Sequence, residues 1–367
     1  MSGRVGPDKI GPTGIGYYVH HHGRGHTNRA RQIVAHLNQP VTIFSSSPHV
    51  EAPWTGEQVS VINLPPDTVT GQPAAQDWPN VFHYAPLGVP GIRERMLQLA
   101  QWAAATNPRL LVVDVSVEVT LFARLLGVPT VVVRQSGLRT DPPHQVAYRS
   151  SNGLLAPYAT ALEEPDMPDW IRQKTYYAGG FSRYAGRLLT KTKARRQFSI
   201  PAQQSTVVVM SGWGGRGNPL ETIAQAAQAC PAWQWWVVGP TSAGVDEMPT
   251  NMTLVGAVDD TFPYLVAADV VVGSAGNNTV MEVATAATPY VSIPEERPFD
   301  EQRRKAEALA RTGGALVLFD WPDPRYWSEI LARARKLDST AFANIVDAEG
   351  AKKAAKYIER VAEGHNQ

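Results

Sequence analysis

The segment 20–30, HHHGRGHTNRA, places four histidines, two arginines and two glycines within eleven residues. Histidine side chains ligate metals and transfer protons near neutral pH, and arginines beside them contact phosphate groups. The segment could therefore form a metal site, a basic surface for nucleic acid, or a loop in which one histidine transfers protons. The rest of the chain decides between these three kinds of site.

Composition and local pattern argue against the first two kinds of site. The 34 Lys and Arg residues nearly balance the 33 Asp and Glu residues, and a net charge of +1 disfavours a dedicated nucleic-acid binder. The pattern IGYYVHH predicts a strand over 15–21, in which His20 and His21 would point to opposite faces instead of converging on a metal. We therefore expect no metal site, and His26, beyond the glycines, becomes the candidate for proton transfer.

Cysteine usage and hydropathy predict a cytoplasmic protein. Cys230 is the single cysteine, which excludes an internal disulfide and a multi-cysteine metal cage and fits a reducing compartment. The first residues lack the apolar region of a signal peptide, and no run approaches the ~18–20 apolar residues that span a bilayer. We expect no nucleic-acid partner and no transmembrane segment, while peripheral contact with a membrane stays open.

Short β-branched runs alternate with longer helical patterns along most of the chain. Such alternation predicts βαβ units and parallel sheets that are covered on both faces. The predicted strands of the first half are 15–21, 41–46, 110–115, 130–135 and 176–180, and its clearest helices are 27–38 and 91–107. A second alternation begins near residue 205. The sequence therefore predicts an α/β fold with two Rossmann-like, doubly wound lobes and a cleft between them.

The alternation also predicts the division of the chain. We expect a first lobe over 1–180, a linker over 181–203, a second lobe over 204–345, and a helix over 346–367 that packs across the lobes. The basic run KTKARR within the linker is interpreted as a solvated linker or helix face. Parallel sheets bind ligands beyond the carboxyl ends of their strands, so paired lobes predict a site in the cleft.

Both predicted lobes begin with a strand, a glycine-rich turn and a helix. Glycines allow close approach of the backbone to a ligand, and the helix N-terminus offers free N–H groups to an anion. The second of these turns contains Gly212, Gly214 and Gly215. Neither turn has the Gly-Lys-Ser/Thr of a Walker A motif, and Asn28 replaces the third glycine of a dinucleotide fingerprint, which disfavours a nicotinamide enzyme.

The stretch 253–308 carries the most specific pattern in the chain. It predicts a strand that ends at Gly273, a Ser-Ala-Gly-Asn-Asn turn, and a helix from about Thr279. Backbone amides at this turn, together with the hydroxyls of Ser274 and Thr279, suit a phosphate or diphosphate.

Acidic and amide side chains follow this turn at positions where they could contact the rest of a nucleotide ligand. Glu282, one helical turn in, could accept hydrogen bonds from the two hydroxyls of a ribose. Glu301 and Gln302 would place an acceptor and an amide at the carboxyl edge of the same sheet. A diphosphate, a ribose and a second polyol side by side describe a nucleotide sugar.

This stretch resembles the donor-binding half of GT-B glycosyltransferases. It is most similar to family 28, the group with the N-acetylglucosaminyltransferase that completes the lipid-linked peptidoglycan precursor. The matching motifs, over roughly sixty residues in order, are Val258-Asp259-Asp260, Ala267 to Val272, Gly276, Thr279-Val280-Met281-Glu282, Pro289, and Glu301-Gln302 with Ala306. The resemblance implies a GT-B architecture and transfer of a hexose or N-acetylhexosamine from a UDP-sugar.

The resemblance also implies the residues of the donor site. The base, usually uracil, would meet the backbone near Val258, the ribose would meet Glu282, and the donor sugar would meet the Glu-Gln pair. The implied donor-binding residues are Gly212, Gly214, Gly215, Arg216, Val258, Ser274, Ala275, Gly276, Asn277, Thr279, Glu282, Glu301 and Gln302. Ser274 stands where the family often has His or Arg, so Arg216 is expected to neutralise the diphosphate. Lys305 replaces an Asn, which leaves the sugar and the choice of UDP or dTDP open.

The resemblance further implies an inverting mechanism. Retaining GT-B enzymes carry two glutamates eight residues apart in this region, whereas position 274 here is serine. Inversion needs a base on the acceptor side, for which His26 is the candidate, with Asp114 orienting it from the end of LLVVDV. Positive charge and helix-end amides would stabilise the leaving diphosphate, so we expect no metal and no cofactor besides the UDP-sugar co-substrate. The structural alternatives are a helix-capping Asp114 and a capping or merely exposed His26.

The acceptor and one alternative function remain open. Loop residues 136–175 match no known acceptor pattern, and Gly25, Arg134 and Arg139 are the residues expected on the acceptor side. The motif Gly-x-Gly-His-x-x-Arg that ends at Arg29 also resembles the UDP-sugar hydrolase of the pseudaminic acid pathway, in which the histidine activates water. Non-hydrolysing UDP-sugar epimerases share the architecture with less of the pattern. A catalytically inactive nucleotide-sugar sensor is the remaining class.

Overall fold

The computed structural model describes residues 14–21, 23–51, 54, 59–68, 80–211, 219–241 and 247–364. Within these residues the chain forms one sheet of seven strands and one of six, and the strands within each sheet run parallel. Helices cover both faces of each sheet. The predicted α/β class with two doubly wound, Rossmann-like lobes is confirmed.

The first sheet has the strand order β3-β2-β1-β4-β5-β6-β7. Its strands are β1 (Ile15–Tyr18), β2 (Val41–Ser45), β3 (Val59–Asn63), β4 (Leu110–Asp114), β5 (Thr130–Val133), β6 (Gly153–Ala156) and β7 (Thr175–Tyr177). The helices that accompany it are α1 (Gly25–Val34), α2 (Pro90–Thr106), α3 (Val117–Leu125), α4 (Pro142–Ser150) and α5 (Asp169–Lys174). Helix α6 (Lys191–Gln197) follows in the connection between the lobes.

The second sheet has the strand order β10-β9-β8-β11-β12-β13. Its strands are β8 (Ser205–Met210), β9 (Trp233–Val238), β10 (Met252–Gly256), β11 (Val270–Gly273), β12 (Tyr290–Ser292) and β13 (Ala315–Val317). The remaining helices are α7 (Leu220–Ala229), α8 (Phe262–Ala267), α9 (Asn277–Ala286), α10 (Glu301–Thr312), α11 (Trp327–Ala334) and α12 (Gly350–Ala362). No helix in the described part of the chain is long and apolar enough to cross a membrane.

Burial on both faces explains the nearly continuous apolar runs of the central strands. In β4, Val112 belongs to the core under α1 and α12, whereas Val113 belongs to the core under α2 and α3. Successive side chains of a strand point to opposite faces, so a strand between two helical layers needs apolar residues at every position. Gly16 in β1 is required for the same packing, because a Cβ there would overlap the ring of Trp102.

The first strand is shorter than predicted. We predicted a strand over 15–21, but β1 ends at Tyr18 and the chain then turns through Gly23, whose φ is +66°, into helix α1 at Gly25. His20 and His21 therefore lie in the loop beyond the strand. The prediction that a strand places them on opposite faces is wrong, since their ring centroids are 4.8 Å apart and both side chains line the cleft.

Short strands and the linker contain further differences from the sequence prediction. Strands β3, β6 and β13 were not predicted, because runs of three to five residues carry too little periodicity to be distinguished from loops. The basic run 191–196, interpreted as a solvated linker or helix face, does lie on a helix, α6, but its Arg195 is buried and donates to Oδ2 of Asp269 at 2.7 Å.

The last helix belongs to the core of the first lobe. Ala354, Ala355 and Ile358 of α12 are fully buried in the cluster that also contains residues of β1 and α1. Before reaching it, the chain leaves the second lobe and forms a bridge between Val346 and Gly180. The two lobes are therefore joined twice, once near residue 180 on the way out and once on the return.

Candidate active site between the two lobes

A cavity of about 1460 Å³ opens between the lobes. Its walls come from the segments that follow β1, β4 and β5 in the first sheet and β8 and β11 in the second. The lobes also approach each other where α1 and α9 begin, since a Cβ on Gly25 would lie 3.4 Å from Nδ2 of Asn278. The predicted cleft thus lies at the carboxyl ends of both sheets, with two helix N-termini facing each other.

His26 and Asp114 form the polar centre of the first lobe's side of the cavity. Nδ1 of His26 lies 2.8 Å from Oδ2 of Asp114, whose side chain is fully buried, and His26 lines the cavity. Nη2 of Arg29 lies 2.5 Å from the other carboxylate oxygen. The two predicted catalytic residues are brought together, and Arg29, which has no such role in the sequence prediction, completes the group.

The charge state of Asp114 is set by this group. Burial raises the pKa of the Asp114 carboxyl, but the charges of Arg29 and His26 and the hydrogen bond with His26 outweigh it, so the pKa lies well below its usual range. Asp114 does not cap the following helix, because the side chain of Ser116 accepts from Val119 N at that position. The carboxylate is therefore ionised and committed to His26 and Arg29.

The turn before α9 forms the facing wall of the cavity. Ser274, Gly276, Asn277 and Thr279 all line the cavity, with Gly276 at the N-cap of the helix. Ala275, predicted with them, is buried with 1% of its surface exposed and does not line the cavity. The free backbone N–H groups at the N-terminus of a helix can donate hydrogen bonds to an anion.

Glu282 lies on the same wall and has partners that the sequence did not predict. Its Oε1 accepts from Nε of Arg183 at 2.9 Å, and its Oε2 accepts from Oγ1 of Thr261 at 3.1 Å. Burial raises the pKa of Glu282, although the charge and hydrogen bond of Arg183 oppose it. Arg183 also donates to the carbonyl of Asp259, close to Val258, which lines the cavity as predicted.

Glu301 and Gln302 also line the cavity at the start of α10. The amide oxygen of Gln302 accepts from the backbone N–H of Glu295 at 2.9 Å, which leaves its amide nitrogen near Gly276. Oε2 of Glu301 lies 3.4 Å from Nη2 of Arg139 in the first lobe. Gln302 therefore lies beside the turn before α9, and Glu301 contacts the first lobe.

Lys305 is buried behind the α9 turn. Its Nζ donates to Oδ1 of Asn277 at 2.8 Å and lies 5.1 Å from the centroid of the Tyr158 ring. Burial lowers the pKa of Lys305 to about 8, although Glu301 and Glu164 raise it. With its oxygen engaged by Lys305, the amide nitrogen of Asn277 is left for the cavity.

The remaining predicted residues are those of the acceptor side and those of the second glycine-rich turn. Arg134 does not line the cavity: it is buried, and Nη1 donates to Oε2 of Glu163 at 2.8 Å inside the first lobe, so its expected place on the acceptor side is wrong. Gly25 and Arg139, predicted with it, do line the cavity. The predicted Gly212, Gly214, Gly215 and Arg216 lie outside the described residues.

A fourth member of the first lobe's polar group, Gln135, also escaped prediction. Gln135 follows β5 and places its amide nitrogen 3.3 Å from Nε2 of His26. Arg183 and Gln135 carry no motif of their own, so only their spatial neighbours identify them. Among the described residues no three His, Cys, Asp or Glu side chains are grouped as metal ligands.

Sequence comparison finds a family match that covers much of the second lobe and reaches the first residues of α12. Residues 241–356 match the glycosyltransferase family 28 C-terminal domain. This range contains the α9 turn and the side chains of Glu282, Glu301 and Gln302. The predicted resemblance to family 28 is confirmed for this part of the chain.

Sequence relatives carry related names. An uncharacterized glycosyltransferase of Methanosarcina mazei is 25% identical over 211 residues, which cover 55% of this chain and 52% of the relative. A UDP-N-acetylglucosamine–N-acetylmuramyl-(pentapeptide) pyrophosphoryl-undecaprenol N-acetylglucosamine transferase of Nocardioides sp. is 27% identical over 230 residues, 56% of this chain and 57% of the relative. The chain thus spans about half the length of these relatives.

Solved structures share the whole architecture. Phytolacca americana UGT2, complexed with UDP-2fluoro-glucose and pterostilbene, superposes with a TM-score of 0.66 and 14% identity over 97% of this chain and 100% of that one. Acinetobacter baumannii MurG superposes with a TM-score of 0.59 and 14% identity over 96% and 99% of the two chains. The chain therefore has the GT-B fold, and its residues 241–356 match the C-terminal domain of glycosyltransferase family 28.

Proposed function

We propose that the protein is an inverting glycosyltransferase that moves a hexose or N-acetylhexosamine from a UDP-sugar to an acceptor hydroxyl. The observation that carries this proposal is the placement of the His26–Asp114 pair directly across the cavity from the α9 helix end. One side of the cleft can remove a proton while the other accepts a departing diphosphate, which is the division of labour that the reaction needs.

The donor is proposed to lie along the second lobe. Its diphosphate would meet the N-terminus of α9, its ribose would meet Glu282, and its sugar would meet Glu301 and Gln302. All of these groups line the cavity wall of the family 28 domain. The Nocardioides relative is named for a reaction with UDP-N-acetylglucosamine, which supports a UDP-sugar as the donor class.

In the proposed reaction His26 is the base and Asp114 holds it. As the acceptor oxygen attacks the anomeric carbon opposite the leaving group, its proton passes to Nε2 of His26 and the bond to the diphosphate oxygen breaks. The developing imidazolium is stabilised by the ionised Asp114, and the charge on UDP by the amides of α9. We propose that no metal ion and no further cofactor take part.

The acceptor wall suggests the class of acceptor. Between α2 and α3 the cavity is lined by apolar side chains: Ile92, Met96, Val119, Phe122 and Leu125. Removing apolar surface from water stabilises a complex by about 25 cal/mol per Å². We therefore propose an acceptor that joins an apolar body to the reacting hydroxyl, and we place the reaction in the reducing cytoplasm that the single cysteine favours.

Measuring UDP release tests the proposal. Purified protein is incubated with UDP-glucose, UDP-galactose or UDP-N-acetylglucosamine, alone and with a panel of hydroxylated apolar and polar acceptors. Release that depends on an acceptor, with a β-linked product from an α-linked donor by NMR, supports the inverting transferase. Stoichiometric release of free sugar without an acceptor would instead establish a hydrolase, and binding without turnover would establish a sensor.

A further inference from the structure

Three polar side chains connect the proposed base to the opposite lobe. The amide nitrogen of Gln135 lies 3.3 Å from Nε2 of His26, and the amide oxygen of Gln135 accepts from Nη2 of Arg139 at 2.9 Å. The same Nη2 lies 3.4 Å from Oε2 of Glu301, at the start of α10 in the second lobe. The order His26, Gln135, Arg139, Glu301 is thus a continuous row of contacts across the cleft.

The chemistry of each partner sets the direction of these hydrogen bonds. A guanidinium only donates, so Arg139 must face the oxygen of the Gln135 amide and turn the amide nitrogen toward His26. An amide nitrogen only donates as well, so Nε2 of His26 must be the unprotonated acceptor. Nη2 of Arg29 also lies 3.1 Å from Nδ1, but this nitrogen donates to Oδ1 of Asp114 at the shorter distance of 2.5 Å. The proton of the neutral ring therefore lies on Nδ1, where it is donated to Oδ2 of Asp114 at 2.8 Å, and the lone pair of Nε2 faces the cavity.

Backbone contacts between the lobes hold Arg139 in this position. The guanidinium carbon of Arg139 lies 4.6 Å from the centroid of the Phe299 ring, and Leu138 N donates to Phe299 O at 2.8 Å. Gly137 has a φ of +110°, and a Cβ there would lie 2.7 Å from Phe299 O. The loop after β5 therefore docks against the segment that leads into Glu301, with no room for a larger residue at 137.

We propose that Gln135 is a positioning residue for His26, oriented by Arg139 and linked through it to Glu301 of the donor lobe. The inference rests on the proposed function. The Gln135 amide holds the His26 lone pair ready until the acceptor hydroxyl replaces it at Nε2. Since Glu301 belongs to the other lobe, Arg139 is fully held only while the lobes are together, which couples the base to the donor side.

The remaining groups that face His26 are unchanged by substitution of Gln135. They are Asp114 at the end of β4, Arg29 on α1, and His20 in the loop after β1, whose ring centroid lies 5.0 Å from that of His26. A hydrogen bond donated to the lone pair favours the unprotonated ring, and its loss favours protonation. Changes at Gln135 should therefore alter the pH range in which His26 is an effective base.

The first test is Gln135→Leu, which removes the amide donor at similar volume. The expected results are a roughly tenfold lower kcat, a donor KM within about twofold of wild type, and an acidic limb of the kcat–pH profile moved upward by about 0.5–1 pH unit. Gln32→Leu is the matched control, because Gln32 lies on α1 and its amide nitrogen donates to the carbonyl of Asn28 on the same helix. That control should leave kcat and the pH profile unchanged.

The second test asks whether Arg139 acts through Gln135. Without the guanidinium the amide can turn its oxygen to His26, which favours the protonated ring, so Arg139→Met should also move the acidic limb upward. In the Gln135→Leu background most of this effect should vanish. Arg172→Met is the control for loss of a partly buried arginine, since Arg172 bonds backbone carbonyls away from the cavity.

An NMR titration of the His26 ring makes the inference testable without turnover. The pH at which the ring signals change should rise in Gln135→Leu and in Arg139→Met, with little further change in the double variant. Unchanged titration in both single variants, or full additivity in the double variant, overturns the positioning role. If the wild type shows no transfer with any acceptor, the proposed function fails on that result alone, while the titration still decides the role of Gln135.

Discussion

Nδ1 of His26 and Oδ2 of Asp114 are 2.8 Å apart, although 88 positions separate the two residues in the chain. Strands β1 and β4 pair side by side in the first sheet, with Tyr18 opposite Val113. Asp114 ends β4, and His26 lies in the first turn of the helix that follows β1. Neighbouring parallel strands thus deliver both side chains to one edge of the sheet.

His26→Ala should lower turnover by ~10²-fold or more while leaving UDP-sugar affinity nearly unchanged. The imidazole is proposed to take the proton of the acceptor, whereas the donor is proposed to bind the other lobe. Steady-state kinetics and calorimetry measure the two effects separately. His36→Ala, at an exposed position after α1, is the control. Equal losses of affinity and turnover would remove His26 from the role of base.

Asp114→Asn should lower kcat by ~10²-fold or more, because the ring loses the charge that stabilises its protonated form. It should also destabilise the fold by ~3–5 kcal/mol, since the buried Arg29 keeps its charge without a partner. The pKa of Asp114 is depressed in the folded state. The stability advantage of the wild type is therefore present at neutral pH and lost as the pH falls below the unfolded carboxyl's pKa of about 3.9. Urea denaturation at several pH values measures it; an advantage that grows on acidification would contradict the assignment.

Glu282→Ala should weaken UDP and UDP-sugar binding alike, by roughly tenfold, because the proposed charged hydrogen-bond acceptor for the ribose is lost. Isothermal titration with UDP alone isolates this contribution from any contact with the sugar. Glu329→Ala, on the exposed side of α11, serves as the control. Unchanged UDP affinity would show that Glu282 only anchors Arg183.

Lys305→Met should alter the dependence of stability on pH in the alkaline range. Burial lowers the pKa of Lys305 from 10.5 to about 8, so between these values the unfolded chain binds more protons than the folded one. Stability of the wild type relative to the variant should therefore rise with pH across this window, by roughly 2–3 kcal/mol in total. Denaturant titrations at pH 7.5, 9 and 10.5 measure the difference, and a constant difference would show that Lys305 stays charged.

Removal of divalent metal should leave the proposed transfer intact. Activity is compared before and after dialysis against EDTA, with UDP release as the measurement. The expectation follows from the proposed placement of the diphosphate at the N-terminus of α9, where backbone amides can stabilise its charge without a metal ion. Loss of activity that Mg²⁺, Mn²⁺ or Zn²⁺ restores would overturn the proposed metal-independent mechanism.

Local sequence determined the fold class, the cleft and much of its second wall. Alternating strand and helix patterns predicted the parallel sheets, and the 274–282 pattern predicted a turn, a helix and Glu282 in the order observed. These features were accessible because each depends on residues close together in the chain. The length of β1 could not be predicted in this way, because a glycine turn can end a strand before its strand-like sequence pattern ends.

Contacts between side chains that are distant in the chain could not be predicted from local patterns. Arg134 and Gln135 are adjacent in the chain, yet Arg134 points into the first lobe toward Glu163 and Gln135 points into the cleft toward His26. Successive side chains at the end of a strand point in opposite directions. Which of the two reaches the cleft depends on how the strand is registered against its neighbours in the sheet. The pairing of Glu282 with Arg183 likewise required the fold to bring positions 99 residues apart into contact. Local patterns were therefore enough to predict the helices, the strands and the 274–282 motif, whereas the order of the strands in each sheet brings the polar side chains of the cleft together.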